Sequence, residues 1–221
     1  MPARLRRPLL LAPLTLLWLV ASGVAPAAAA TTYSRDLYFY GSWEQQVDNR
    51  TCTAASVAIM ENLIAGRDLN LYQMAILRYE QPRDALNNAV QRGSDPLGWS
   101  RAATFYSAWT PRPTAYNWEA YSTKTAALKR AAHQLAVTGK PIGLLVAHGT
   151  HAIVMTGVST TANPKSGDFS VLTIAISDPN GWHHRWYSGA GSPLDTYLQL
   201  DATTYYDQRW YGKYVIIVPQ G

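Results

Sequence analysis

Residues 51–65 constrain this chain most. Ala54, Ala55, Val57, Ala58, Ile59, Met60, Leu63 and Ile64 leave a helix apolar on most of its faces, with Glu61 and Asn62 marking the wetter side. Such a helix has little to offer water, so it belongs at the centre of the molecule. Gly66 supplies its stop. The second residue of the stretch is Cys52, the only cysteine among 221 residues.

The compartment makes that cysteine informative. Arg4, Arg6 and Arg7 precede an apolar core over 9–20 and a small-residue zone at Ala27, Ala28, Ala29 and Ala30. This is the pattern of a secretory signal, with cleavage expected within 28–30 and a released or surface-associated product over 31–221. Pro13 and the short core argue against a membrane anchor. Exported proteins that use cysteine structurally use it in pairs, and a single one cannot close an internal disulfide. Cys52 is therefore either a small buried apolar residue or a reactive thiol.

Loss of three arginines with the leader brings 19 basic residues against 14 acidic ones down to a surplus of two. No basic cluster with interleaved aromatics survives, so no nucleic-acid partner is expected. The part that follows the leader is long enough for one domain with a core of its own.

Order along the chain gives the fold class. A polar, loose start over 31–35 leads to an extended aromatic run over 36–41 and a loop over 42–50. After the central helix, Asn70 with Gln73 reads as a capping box, with Leu69 and Met74 as its staple, for a helix running to about Tyr79 and stopped by Pro82. Further helices are expected over 84–92 and 100–109. Pro111 and Pro113 then mark a change. A strand is expected over 116–121, and a helix capped by Ser122 carries Leu128, Ala131, Ala132 and Leu135 on one face, ending at Gly139 and Pro141. Strands follow over 142–147, 151–159, 169–177 and 213–218, with a hairpin connection over 160–168. Residues 182–187 read as an aromatic loop, and the stretch around Tyr197 has no clear assignment. Helices first and antiparallel sheet after make an α+β fold.

A cysteine nucleophile needs a base for its proton, a group to orient the base, and donors for an oxyanion. Cys52 opens a helix, where free N–H groups and the dipole favour negative charge. Its own N–H is one oxyanion donor; the side-chain amide of Gln46 is a second, with Gln45 pointing elsewhere. Among five histidines, His151 opens the apolar strand Ala152, Ile153, Val154, Met155, so the scaffold holds it while one end stays open. A hydrogen-bonded core histidine is the alternative. Asp178, ending a strand and followed by Pro179, fits the orienting group, with Asn180 as substitute and Trp182 as a shield from water. Asp178-Pro179 also reads simply as a turn. His133 reads as a surface or partly packed helix residue. His148 with His151, and His183 with His184, lack a third nearby ligand, so no metal or other cofactor is expected. Asn49-Arg50-Thr51 matches a glycosylation sequon too close to Cys52 to be used; Asn49 or Thr51 is the cap candidate. The eight tryptophans and fourteen tyrosines are scattered, as core or cleft-lining residues are.

Glutamine, a six-residue step to a cysteine on a central helix, a histidine opening a strand, and Asp-Pro ending the next resembles the papain-like cysteine peptidases. It looks most like the bacterial branch that includes the double-glycine leader peptidases that process bacteriocins. The resemblance spans residue 46 to about 181. It implies a helical subdomain carrying Cys52, packed on an antiparallel sheet subdomain carrying His151, with the cleft between them. It also implies roles: Cys52 as nucleophile, His151 as general base and acid, Asp178 as orienting residue, Gln46 as oxyanion donor. Two departures stand out. Thr53 occupies the place where glycine commonly follows the cysteine, which narrows access beside the thiol. The leader peptidases are usually fused to a membrane transporter, and the chain carries neither further membrane spans nor a nucleotide-binding loop.

The expected activity is hydrolysis of peptide or amide bonds in a peptide or protein substrate. An acyltransferase or deamidase would use the same triad. A non-catalytic exported binding domain would instead keep Cys52 buried and away from His151.

Overall fold

A computed structural model describes residues 32–85, 93–198 and 208–221. The leader read over 1–30 lies outside them. Within them the architecture is α+β: four helices and a seven-stranded antiparallel sheet. The elements are β1 (Tyr33–Asp36), α1 (Cys52–Ala65), α2 (Gln73–Glu80), α3 (Pro96–Ser107), β2 (Tyr116–Tyr121), α4 (Lys124–Thr138), β3 (Ile142–Val146), β4 (His151–Thr160), β5 (Val171–Ser177), β6 (Arg185–Ser188) and β7 (Tyr214–Pro219).

The sheet runs β2-β7-β3-β4-β5-β6, so the last strand inserts between the first and second long ones. β4 is its axis. It pairs with β5 on one edge, while its other edge is shared by β3 at the His151 end and by β1 at the Thr160 end. Both faces are covered. Leu145, Ala152, Val154, Val215 and Ile217 pack against α1, α2 and α3. Their neighbours Leu144, Ile153, Met155, Ile216 and Val218 pack against α4. Successive side chains of a strand point to opposite faces, so a sheet buried on both sides reads as a continuous apolar run.

Helix α1 is central, as its composition requires: every residue except Ala65 is buried, and Gly66 closes it in the left-handed conformation at φ 69°. Glu61 and Asn62 do not face water. Both are fully buried. Asn62 is absorbed by two loops, donating to Glu44 Oε1 at 3.2 Å and accepting from Leu69 N at 2.8 Å. Among the described residues Glu61 has no hydrogen-bond partner on either oxygen, and burial raises its carboxyl well above the usual range.

Several boundaries differ from the sequence expectations. Asn70 is not a cap: it takes φ 51°, and α2 starts at Gln73 with no side-chain cap. α3 begins at Pro96, four residues before Ser100, because Asp95 accepts from Leu97 N and Gly98 N. Thr123, not Ser122, caps α4 through Ala126 N. Tyr33–Asp36 is a strand against β4 rather than a loose start. Residues 185–188 form an edge strand on β5, not a loop. Of the helix expected over 84–92, residues 86–92 lie outside the described residues, and Asp84 and Ala85 stand in a turn. Among the described residues no helix is long and apolar enough to cross a membrane.

Candidate active site

Cys52 is the first residue of α1 and is 8% exposed. The helix end it occupies is uncapped. Thr51 stands at the cap position, but its hydroxyl is turned back to Asp48, donating to Asp48 O at 3.0 Å and accepting from Asp48 N at 3.2 Å. Asn49 gives no cap either. The N–H groups of the first turn have no intrahelical partner by construction, and no acidic residue stands in that turn to answer them. The positive end of the dipole is left to the thiol and to whatever charge develops beside it.

His151 opens β4, paired in register with Val146 at the end of β3. The two strands are joined by a tight turn in which Ala147, His148 and Gly149 all take positive φ. Its imidazole Nε2 lies 2.7 Å from Asp178 Oδ1, which leaves Nδ1 as the nitrogen available to the thiol. Burial alone would pull the imidazole down, but the hydrogen bond to Asp178 and the hydrogen bond to Cys52 outweigh it and push His151 up to about 9. Asp178 is thus bonded to His151, and Cys52 is near enough to influence the same imidazole.

Asp178 is the group on His151; Asn180 is not. Asn180 supports it, donating its backbone N–H to Asp178 Oδ1 at 2.8 Å. Burial works to raise the Asp178 carboxyl, but the bonds to His151 and to Asn180 N–H prevail and hold it below the usual carboxylate range. The turn after β5 is closed by Asp178 N donating to Trp182 O at 2.7 Å.

Trp182 is a poor shield, since its ring is more than half exposed and lies beneath the Arg185 guanidinium. The indole that engages the turn is Trp43. Its Nε1 donates to Asp178 O at 2.8 Å, and its ring stacks on His183 at 3.8 Å. Trp43 had no sequence signal, because it sits in a polar loop 135 residues from its partner.

Gln46 is drawn to the same place. Its backbone N–H donates to Pro179 O at 2.9 Å, binding the glutamine loop to the Asp178 turn. Its side-chain Nε2 donates to Asp48 O at 2.9 Å, the carbonyl that also receives the Thr51 hydroxyl. An amide nitrogen carries two hydrogens, so one remains for an oxyanion. Gln45, by contrast, is exposed, and only its carbonyl is engaged.

Thr53, next to Cys52, is buried, and its hydroxyl donates to Glu80 Oε2 at 2.8 Å. Glu80 is fully buried with its other oxygen unpartnered; burial raises its carboxyl well above the usual range, against the pull of the Thr53 bond. A carboxyl whose burial favours its neutral form therefore lies under the residue next to Cys52. The remaining histidines serve elsewhere. His148 Nδ1 is 3.1 Å from Asp195, and His184 Nε2 is 3.0 Å from Asp36 while its ring stacks on Tyr38. Among the described residues no three histidine, cysteine or acidic side chains converge as metal ligands.

In comparisons with known proteins, the chain matches no protein-family model and no curated protein.

Proposed function

We propose that this protein is an exported cysteine peptidase, or a closely related amide hydrolase, of papain-like design. The observation that supports the reading is the 2.7 Å contact from His151 Nε2 to Asp178 Oδ1, with Cys52 near enough to help raise the imidazole. That is the relay a thiol nucleophile requires.

The chemistry follows from the contacts. The Cys52 thiol gives its proton to His151, and the thiolate attacks the carbonyl carbon of the substrate amide. The carbonyl electron pair moves onto oxygen, where the Cys52 N–H and the free hydrogen of Gln46 Nε2 receive it. The C–N bond then breaks as the His151 imidazolium protonates the departing amine. A thioester is left on Cys52. Water, losing its proton to His151, adds to the thioester carbonyl; the C–S bond breaks and the carboxylic acid product leaves. Asp178 holds the ring in place and favours its charged form throughout. The positively charged leader favours export as the setting for this chemistry.

The direct test is a peptide library presented to the purified protein without its leader, beside Cys52→Ala and Cys52→Ser. Turnover by the wild type alone, together with iodoacetamide labelling that is lost in both variants, is the expected result. A wild-type thiol that resists iodoacetamide at neutral pH in the folded protein sinks the reading.

A further inference from the structure

The loop bearing Gln46 has no regular structure of its own, yet an oxyanion donor is useful only if it is held still. One side chain supplies two of the bonds that hold it. Gln73, the first residue of α2, donates from Nε2 to Gln45 O at 2.7 Å and accepts at Oε1 from Val47 N at 3.1 Å. A single amide therefore grips the peptide groups on both sides of Gln46, as a neighbouring strand would. Gln73 is 5% exposed, so water does not compete strongly for either bond.

The grip matters because, beyond the backbone bond to Pro179 O, the Gln46 side chain is weakly held. Its Oε1 is buried without a hydrogen-bond partner, and its nitrogen is held at one point. Only a carboxamide fits the clamp: an aspartate or glutamate side chain offers no donor for Gln45 O when ionised, and an apolar one satisfies neither group.

The other end of α2 completes the picture. Glu80 lies seven residues from Gln73, hence on the same face two turns along, and it receives the hydroxyl of Thr53, next to Cys52. Between them Ile76 and Leu77 are buried in the core shared with α1. One rigid helix thus touches the oxyanion loop at one end and the nucleophile's neighbour at the other.

We infer that Gln73 is a positioning residue, setting the Gln46 amide in register with Cys52 through α2. The inference rests on the hydrolase reading above. Removing an oxyanion donor costs on the order of 10²- to 10³-fold in rate, and misplacing one costs part of that. In a peptide substrate assay Gln73→Ala should lower kcat about tenfold or more while KM changes less than about twofold. Alkylation of Cys52 by iodoacetamide needs no oxyanion donor, so its rate in Gln73→Ala should match the wild type. Because Gln73 acts through Gln46, the double variant Gln46→Ala/Gln73→Ala should be no slower than Gln46→Ala alone.

Full wild-type kcat in Gln73→Ala, a loss that multiplies with that of Gln46→Ala, or an equal fall in alkylation rate each overturns the positioning role. Gln73→Glu, which keeps the acceptor for Val47 N–H and loses the donor, is the second variant; if both fail to fold, Gln73 is structural and the inference falls. A wild-type protein that is alkylated yet cleaves no amide counts against the hydrolase reading itself and is recognised before any variant is made.

Discussion

His151 Nε2 stands 2.7 Å from Asp178 Oδ1 although 27 residues separate them in the chain. The contact exists because β4 and β5 are antiparallel neighbours: Val154 lies opposite Ser177, so the start of one strand meets the end of the other.

That contact predicts a pH dependence. His151 is raised from 6.5 to about 9 on folding, with Asp178 and Cys52 overcoming the effect of burial. A group raised in this way stabilises the fold fully below its unfolded value and loses that contribution as pH rises through its folded value. Thermal stability should therefore decline between pH 6.5 and about 9, and Asp178→Asn should flatten the decline. Removing the carboxylate's charge lowers the imidazole, so the alkaline limb of kcat/KM should shift to lower pH. Turnover at neutral pH should fall by roughly 10²- to 10⁴-fold, the usual range for a disabled general base. A pH profile that matches the wild type in both limbs would remove Asp178 from the mechanism.

Trp43 fixes the turn that carries Asp178. Trp43→Phe deletes the 2.8 Å bond to Asp178 O and keeps an aromatic ring over His183. The expected loss is about 1 kcal/mol in urea unfolding, the typical net value of one hydrogen bond, with kcat reduced more than KM is raised.

Glu80 should make the protein less stable as pH rises. Its folded carboxyl keeps a proton that the unfolded chain releases above about 4.5, because the side chain is fully buried. Each pH unit above that point then costs about 1.4 kcal/mol until the folded group ionises. Glu80→Gln, which keeps an acceptor for Thr53, has no proton to lose. Its melting temperature should exceed that of the wild type at pH 8, and the gap should close by pH 4. Parallel melting curves across this range would contradict a buried neutral acid.

Gly143 lets α3 approach the sheet. A Cβ at this β3 position would come 2.5 Å from Trp99 Cζ2 and 2.9 Å from Ile217 Cβ, and Trp99 is fully buried. Gly143→Ala should cost about 1–3 kcal/mol through overpacking, read as a lower denaturation midpoint.

Much of this was legible before any coordinates. A stretch apolar on most faces, with only Glu61 and Asn62 as a wetter side, dictated a central helix, and the lone cysteine at its start, in a chain that reads as exported, singled out Cys52. Alternation and turn residues located β2, β3, β4, β5 and β7 to within a few residues, because local periodicity and punctuation are properties of the chain itself. Even Gln46, rather than Gln45, was marked by its six-residue step.

Tertiary structure decided the rest, where partners are distant in sequence. Glu61 and Asn62 look like a polar face, but the loops around α1 bury both. Trp43 has meaning only beside the Asp178 turn, and Gln73 only beside Gln45 and Val47. The opening residue, Cys52, shows the division most clearly. Sequence determined that it heads a buried helix, since that follows from residues 52–64 alone. That an imidazole backed by a carboxylate comes near it follows from strand pairing, which no local window of sequence contains.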